Sequence, residues 1–110
     1  MYVRGELQLD EAYKRITGLY TQILLTIECA ENLPKLEKGQ VSLPDPYVTV
    51  GFADQRFQTG AVPQTFDPVW GQQYRLIVKD TSGDILLTVY DWDPEGKDDP
   101  IGICKVCHIP

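Results

Sequence analysis

The sequence contains no hydrophobic run of bilayer length. Its best, "ILLTI" at 23–27, is five residues, whereas a spanning helix needs roughly twenty. It also lacks a basic run or an Arg-rich stripe, and its formal net charge is -6. That balance argues against unaided binding to nucleic acid. Histidine occurs once, at His108, and nothing in the sequence supplies it with a nucleophile. There is no G-x-S-x-G, no P-loop and no H-E-x-x-H, so the common hydrolase and nucleotide-binding signatures are missing. Cysteine is scarce and odd in number, with Cys29, Cys104 and Cys107. This argues against a disulfide framework and points to a reducing, cytoplasmic compartment. The opening stretch "MYVRGELQLDEAYKR" is too charged for a signal peptide.

What is present is ordinary globular material: 110 residues, 43% hydrophobic and 24% charged, enough for a single domain over 1–110 with a real core. Residues 1–4 are expected to be a flexible N-terminus. Short apolar or alternating runs are rich in β-favouring residues: "GELQL" (5–9), "YTQILLTIECAENL" (20–33), "YVTVGF" (47–52), "RFQTGAV" (56–62), "YRLIVKD" (74–80), "DILLTVYDW" (84–92) and "IGICKVCHI" (101–109). Between them fall "LPDP", "ADQ", "FDP", "DTSGD" and "DPEGKDDP", which are turn chemistry. The pattern predicts an all-β fold, an antiparallel Greek-key β-sandwich of about seven or eight strands. Within "QTFDPVWGQQY", Phe66, Val69, Trp70 and Tyr74 are expected to turn the chain and cap the core, with Pro68 setting the bend.

In a chain that runs up and down, connections two strands apart emerge at the same end. The loops after the second, fourth and sixth strands are "PKLEKGQVSLPDP" (34–46), "PQTFDP" (63–68) and "DWDPEGKDDP" (91–100), and they carry most of the candidate oxygen ligands. The segment "YDWDPEGKDDP" alone holds five carboxylates and one lysine. Two like charges about 4 Å apart cost roughly 4 kcal/mol at an effective dielectric of 20. Such a cluster is tolerated by spreading into water, by raising a pKa or by binding a cation. Calcium suits the last option, since it takes 6–8 oxygens in irregular geometry. An EF-hand is excluded: "DWDPEG" mimics the start of such a loop, but its twelfth position is Gly102, where a bidentate Glu is required.

The motifs "LPKLEKGQVSLPDPYVTV", "QTFDPVWGQQYRLIV" and "LLTVYDWDPEGKDDPIG" resemble, in order and spacing, the C2 domains of synaptotagmin- and protein kinase C-like proteins. The resemblance covers the chain from about residue 5 to 110. It implies an eight-stranded sandwich that binds two or more calcium ions between loops and docks on anionic phospholipid, a targeting module and not a catalyst. Position by position, it assigns the metal to Asp45 of the first loop and to Asp91, Asp93 and Asp99 of the third. Glu37 falls where the family's other first-loop ligand, usually Asp, sits. Glu95 and Asp98 are expected to be solvated bystanders. Val41, Leu43 and Trp92 are the candidate membrane contacts, with Trp92 alternatively packed beneath its loop.

Four features depart from the family pattern. Glu37 is longer than Asp, the first loop has about two extra residues, Pro44 replaces a small residue, and Asp67 stands where Asn is common. The first two favour an alternative reading, a calcium-independent protein-interaction or scaffolding domain. The family's second lipid site, a run of lysines on the third and fourth strands, has only Arg56 here, so selective phosphoinositide binding is not expected. The chain also stops after the seventh expected strand, so the family's last strand is expected to be missing or supplied from elsewhere. "CKVCH" (104–108) has the spacing of haem and zinc motifs, but in a strand Cys104 and Cys107 point to opposite faces. Acids on loop tips likewise offer no enclosed sugar cleft for glycosidase chemistry. The sum is a cytoplasmic module expected to associate peripherally with membranes on binding calcium.

Overall fold

Alternation of apolar and polar side chains builds two sheets. The computed structural model describes residues 2–10, 21–35, 42–78 and 83–106. Its strands are β1 (Tyr2–Asp10), β2 (Thr21–Glu31), β3 (Pro46–Phe52), β4 (Gln55–Gln58), β5 (Val69–Val78), β6 (Ile85–Asp91) and β7 (Asp99–Val106). One sheet has the order β1-β2-β5 and the other β4-β3-β6-β7, and every pairing is antiparallel. The expected all-β sandwich is therefore what forms. Among the described residues there is no helix, hence none long and apolar enough to cross a membrane.

The core lies between the sheets. Ile23, Leu25 and Ile27 of β2 and Leu76 of β5 meet Val48, Val50 and Phe52 of β3 and Ile85, Leu87 and Val89 of β6, each no more than 6% exposed. Each of these positions contributes about 1.5–3 kcal/mol on burial. The residues between them point outward, as the period of two requires.

The sequence reading and the structure differ at several ends. Residues 2–4, expected to be flexible, belong to β1: Tyr2 pairs with Glu31, and Arg4 Nη2 lies 3.2 Å from Glu31 Oε1. Gly5 follows at a register shift, and a Cβ there would sit 2.3 Å from the Thr26 carbonyl oxygen. Only glycine lets β1 approach β2 this closely. Strand β5 starts five residues earlier than "YRLIVKD" suggested, because Val69 already pairs with Cys29. Val69 consequently faces solvent at 71% exposure and does not cap the core, whereas Phe66, Trp70 and Tyr74 do pack against it. Gly71, at φ 61°, absorbs the irregular register between β2 and β5.

Side chains also fasten one sheet to the other. Gln55 Nε2 donates to the Ile77 carbonyl at 2.8 Å, and the Ile77 N–H returns a bond to Gln55 Oε1 at 2.9 Å. The Gly60 N–H donates to Gln72 Oε1 at 2.9 Å. Arg56 Nη1 holds the tight β3–β4 turn by donating to the Ala53 and Gln55 carbonyls, each at 2.8 Å.

One core group is left unsatisfied. Tyr74 packs on Phe57 with ring centroids 5.2 Å apart, and its buried hydroxyl meets no partner among the described residues. Burial pushes that phenol above its ordinary value. Removing an unpaired buried hydroxyl is neutral to favourable. Tyr74→Phe is therefore expected to raise the thermal midpoint, by up to about 1 kcal/mol in stability. A clear loss of stability in the same melt would show that the hydroxyl is bonded.

Candidate functional site

The stretch Pro44-Asp45-Pro46 organises one end of the sandwich. Proline has no N–H, so these three residues offer a single backbone donor, that of Asp45, and three carbonyls. Pro44 and Pro46 are fully buried, which makes their polar groups costly to leave unpaired. The Asp45 N–H donates to Asp91 Oδ1 at 2.9 Å. The Asp45 carbonyl accepts from the Trp92 N–H at 3.1 Å. The Pro44 carbonyl accepts from the Thr65 N–H at 2.9 Å, and the Pro46 carbonyl from the Val62 N–H at 3.0 Å. Trp70 Nε1 donates to the same Pro46 oxygen at 3.0 Å. Asp45 also accepts from the Gln64 N–H on its own Oδ1 at 2.8 Å. The loop preceding β3, the loop after β4 and the loop after β6 thus meet at Asp45, on the one rim that strand counting requires.

The root of the first loop is held in the same way. Asn32 leaves β2 at φ 55°, and its N–H donates to Asp67 Oδ1 at 2.9 Å. Leu33 N–H donates to the Phe66 carbonyl at 3.0 Å. Asp67 therefore acts as a turn residue tying 32–33 to 65–67, and its charge is engaged there.

Four of the expected ligands lie on this rim. Asp45 is half-buried beside Asp91, and Asp91 ends β6. Asp99 opens β7 directly across from Asp91. Asp93 is exposed, and its Oδ1 accepts the Glu95 N–H at 2.9 Å. Glu37 and Val41 lie outside the described residues. Among the described residues, no three His, Cys, Asp or Glu side chains converge as a finished cation cage. The donor set nevertheless suits a hard cation. Asp45 and Asp91 each commit only Oδ1 to a described partner, leaving the second carboxylate oxygen for another ligand. The described thiols, Cys29 and Cys104, sit in β2 and β7 and not on the rim. Cys107 and His108 of "CKVCH" lie outside the described residues. The apolar candidates Leu43 and Trp92 are exposed, at 47% and 48%, and the Trp92 backbone bond to Asp45 holds both near the same loops.

Asp98 is not the bystander expected from sequence. Its Oδ2 accepts the Tyr47 hydroxyl, and its Oδ1 accepts the Asp93 N–H at 2.8 Å. The Tyr47 bond is the larger of the influences that hold the Asp98 carboxyl below its ordinary value, with the Asp93 N–H second. Tyr47 is buried against Tyr90, ring centroids 5.5 Å apart and nearly parallel. Burial, then the bond to Asp98, push its phenol up to about 12. No motif announces this pair, since its members lie 51 residues apart. The usable signal is a tyrosine immediately after the Asp-Pro that enters β3.

The family model of the C2 domain matches residues 21–107. The chain belongs to the C2 domain family. This C2 domain is 40% identical to myoferlin of Xenopus tropicalis over 99 residues, covering 76% of the chain and 5% of that protein. It is 40% identical over 62 residues to Protein C2-DOMAIN ABA-RELATED 10 of Arabidopsis thaliana, covering 56% of the chain and 34% of that protein. Synaptotagmin-3 of Arabidopsis thaliana is 33% identical over 78 residues, with 67% of the chain and 14% of that protein covered. The chain thus spans about a third of the ABA-related relatives and far less of the others. Among solved structures, a C2 domain of RIM from Drosophila superposes with a TM-score of 0.74 at 22% identity, covering 97% of the chain and 86% of that domain. Human GIVD cytosolic phospholipase A2 gives 0.70 at 24% identity, over 79% of the chain and 12% of that protein. At these identities the two structures speak for the fold alone.

The Tyr47 phenol gives a direct check on the geometry. A free tyrosine ionises near 10, so between about 10 and 12 the folded protein keeps a proton that the unfolded chain has lost. The resulting stabilisation is complete below the unfolded value and fades as pH rises through the folded one. In a metal-free alkaline titration followed by phenolate absorbance, Tyr47→Phe is expected to remove one late-ionising phenol. An unchanged late phase in that variant would contradict the placement of Tyr47.

Proposed function

We propose that this C2 domain is a membrane-targeting module that binds calcium at the rim and then engages anionic phospholipid. The observation that carries the reading is the bond from the Asp45 N–H to Asp91, which sets a first-loop carboxylate beside a third-loop one. Asp45, Asp91, Asp93, Asp99 and Glu37 are the proposed ligands, for two or more ions. On their own these carboxylates repel one another and an anionic leaflet alike. Calcium supplies positive charge that reverses the field of the rim and leaves coordination positions open to lipid phosphate oxygens. Leu43, Trp92 and the undescribed Val41 are the proposed apolar contacts with the headgroup region. Association with membrane would then be peripheral, from the cytoplasm.

A second reading, a calcium-independent protein-interaction module, draws support from the absence of a convergent carboxylate trio among the described residues. Calorimetric titration with calcium separates the two readings. The first expects binding heat and a thermal upshift, and flat responses at millimolar calcium would sink it. The double variant Asp91→Asn/Asp93→Asn is expected to abolish binding while remaining folded. Asn keeps the Oδ1 acceptor used by the Asp45 and Glu95 N–H groups and removes only charge.

Lipid engagement is tested separately by sedimentation with phosphatidylserine or neutral vesicles, with and without calcium. Calcium-dependent pelleting is expected only with the anionic vesicles. Trp92→Ala and Leu43→Ser are each expected to weaken that partitioning by roughly tenfold, the scale of one half-buried apolar side chain. Calcium affinity in solution should be unchanged. Equal partitioning of both variants with wild type would remove these residues from the contact.

A further inference from the structure

Loop 92–98 is fastened by hydrogen bonds at successive backbone positions. The Trp92 N–H goes to the Asp45 carbonyl, the Asp93 N–H to Asp98 Oδ1, Pro94 has none, and the Glu95 N–H goes to Asp93 Oδ1. Asp98 is the keystone of this set. One of its oxygens closes the loop on Asp93, and the other reaches the Tyr47 hydroxyl on β3. Tyr47 is itself immobilised, buried and stacked on Tyr90 of the neighbouring strand. Both Asp98 oxygens are thus spent on the protein, while Asp93 and Asp99 flank the fastened segment.

We propose that Tyr47 and Asp98 form a strut that presets the third loop for cation capture, so that Asp98 is a positioning residue and not a ligand. The inference rests on the calcium reading above and deepens it. Three carboxylates at 91, 93 and 99 repel one another when no cation is present. A loop tethered only at its two ends relaxes by splaying them into water. The strut opposes that relaxation by anchoring the middle of the loop to a rigid strand. The ordering cost is then met on folding and not on binding. Supporting groups of this kind, behind the ligands, typically carry 10–100-fold in metal affinity. Tyr47 is well suited to the task because its ring is buried and stacked on Tyr90 while its hydroxyl reaches Asp98.

Two conservative variants test the strut. Tyr47→Phe keeps the stacked ring and deletes the donor. Asp98→Asn can keep the acceptor for Asp93, but it puts an NH2 donor where the carboxylate accepted the Tyr47 hydroxyl and removes the charge from that contact. Each is examined by amide hydrogen exchange at Asp93 in metal-free protein and by calcium calorimetry. The strut predicts faster Asp93 exchange in Tyr47→Phe and calcium affinity weakened on the order of tenfold in both variants. The double variant should be no worse than the weaker single, because one device has been broken twice. Unchanged Asp93 exchange, affinity within about twofold of wild type, or additive losses in the double variant would each overturn it. If wild type itself gives no calcium heat, the calcium reading fails and positioning for capture fails with it. Faster Asp93 exchange in Tyr47→Phe would then still report that the strut orders the loop, which separates the two failures.

Discussion

The rim depends on a shortage of backbone donors. Pro44-Asp45-Pro46 carries one N–H among three residues, and Asp91 takes it. Because the flanking prolines are buried, their carbonyls must be paired, and the segment 62–70 provides the donors, while the Trp92 N–H takes the Asp45 carbonyl. The three loops are therefore assembled around a segment that has almost nothing to donate and much to accept. Asp45 is held by its backbone N–H and carbonyl, and its Oδ1 by the Gln64 N–H.

This arrangement reconciles two demands that ordinarily conflict. A cluster of acids wants to spread, whereas a binding rim needs it gathered. Here the gathering is done by main-chain bonds and by two acids whose charge is already engaged, Asp67 of the second loop, which ties down the root of the first, and Asp98 within the third. Of the acids left over, Asp45 and Asp91 are joined by the Asp45 N–H, and Asp99 stands across from Asp91 in the β6–β7 pairing. The core beneath supplies rigidity: β3 and β6, which lead from Asp45 and to Asp91, bury Val48, Val50 and Phe52 and Ile85, Leu87 and Val89 against the other sheet.

Much of this was legible in the sequence, for physical reasons. Period-two alternation marked β2, β3 and β6, because their buried faces leave no freedom of register. The shared rim follows from strand counting, and the resemblance to C2 domains picks out Asp45 and Asp91 within it. Strand β5 was cut short because Gly71 at positive φ interrupts the alternation, and Val69 was misplaced for the same reason. β1 was begun too late since its first residues are secured by pairing with Glu31, a partner far along the chain. Asp98 was invisible as a structural group: its bond to Tyr47 spans two strands, and local pattern distinguishes it in no way from Glu95. Glu37 and Val41, on the other hand, lie outside the described residues.

The Gln55 carboxamide has a consequence beyond joining two layers. β5 is the outer strand of its sheet, and such a strand ordinarily presents free N–H and C=O groups to any extended chain that drifts alongside. At Ile77 both groups are already engaged, each by one end of the same amide. A short polar side chain thus imitates one residue of a neighbouring strand and then stops, since behind it lies only its own turn. At that point of the flank where β4 faces β5, the backbone of β5 is not free to pair with another strand.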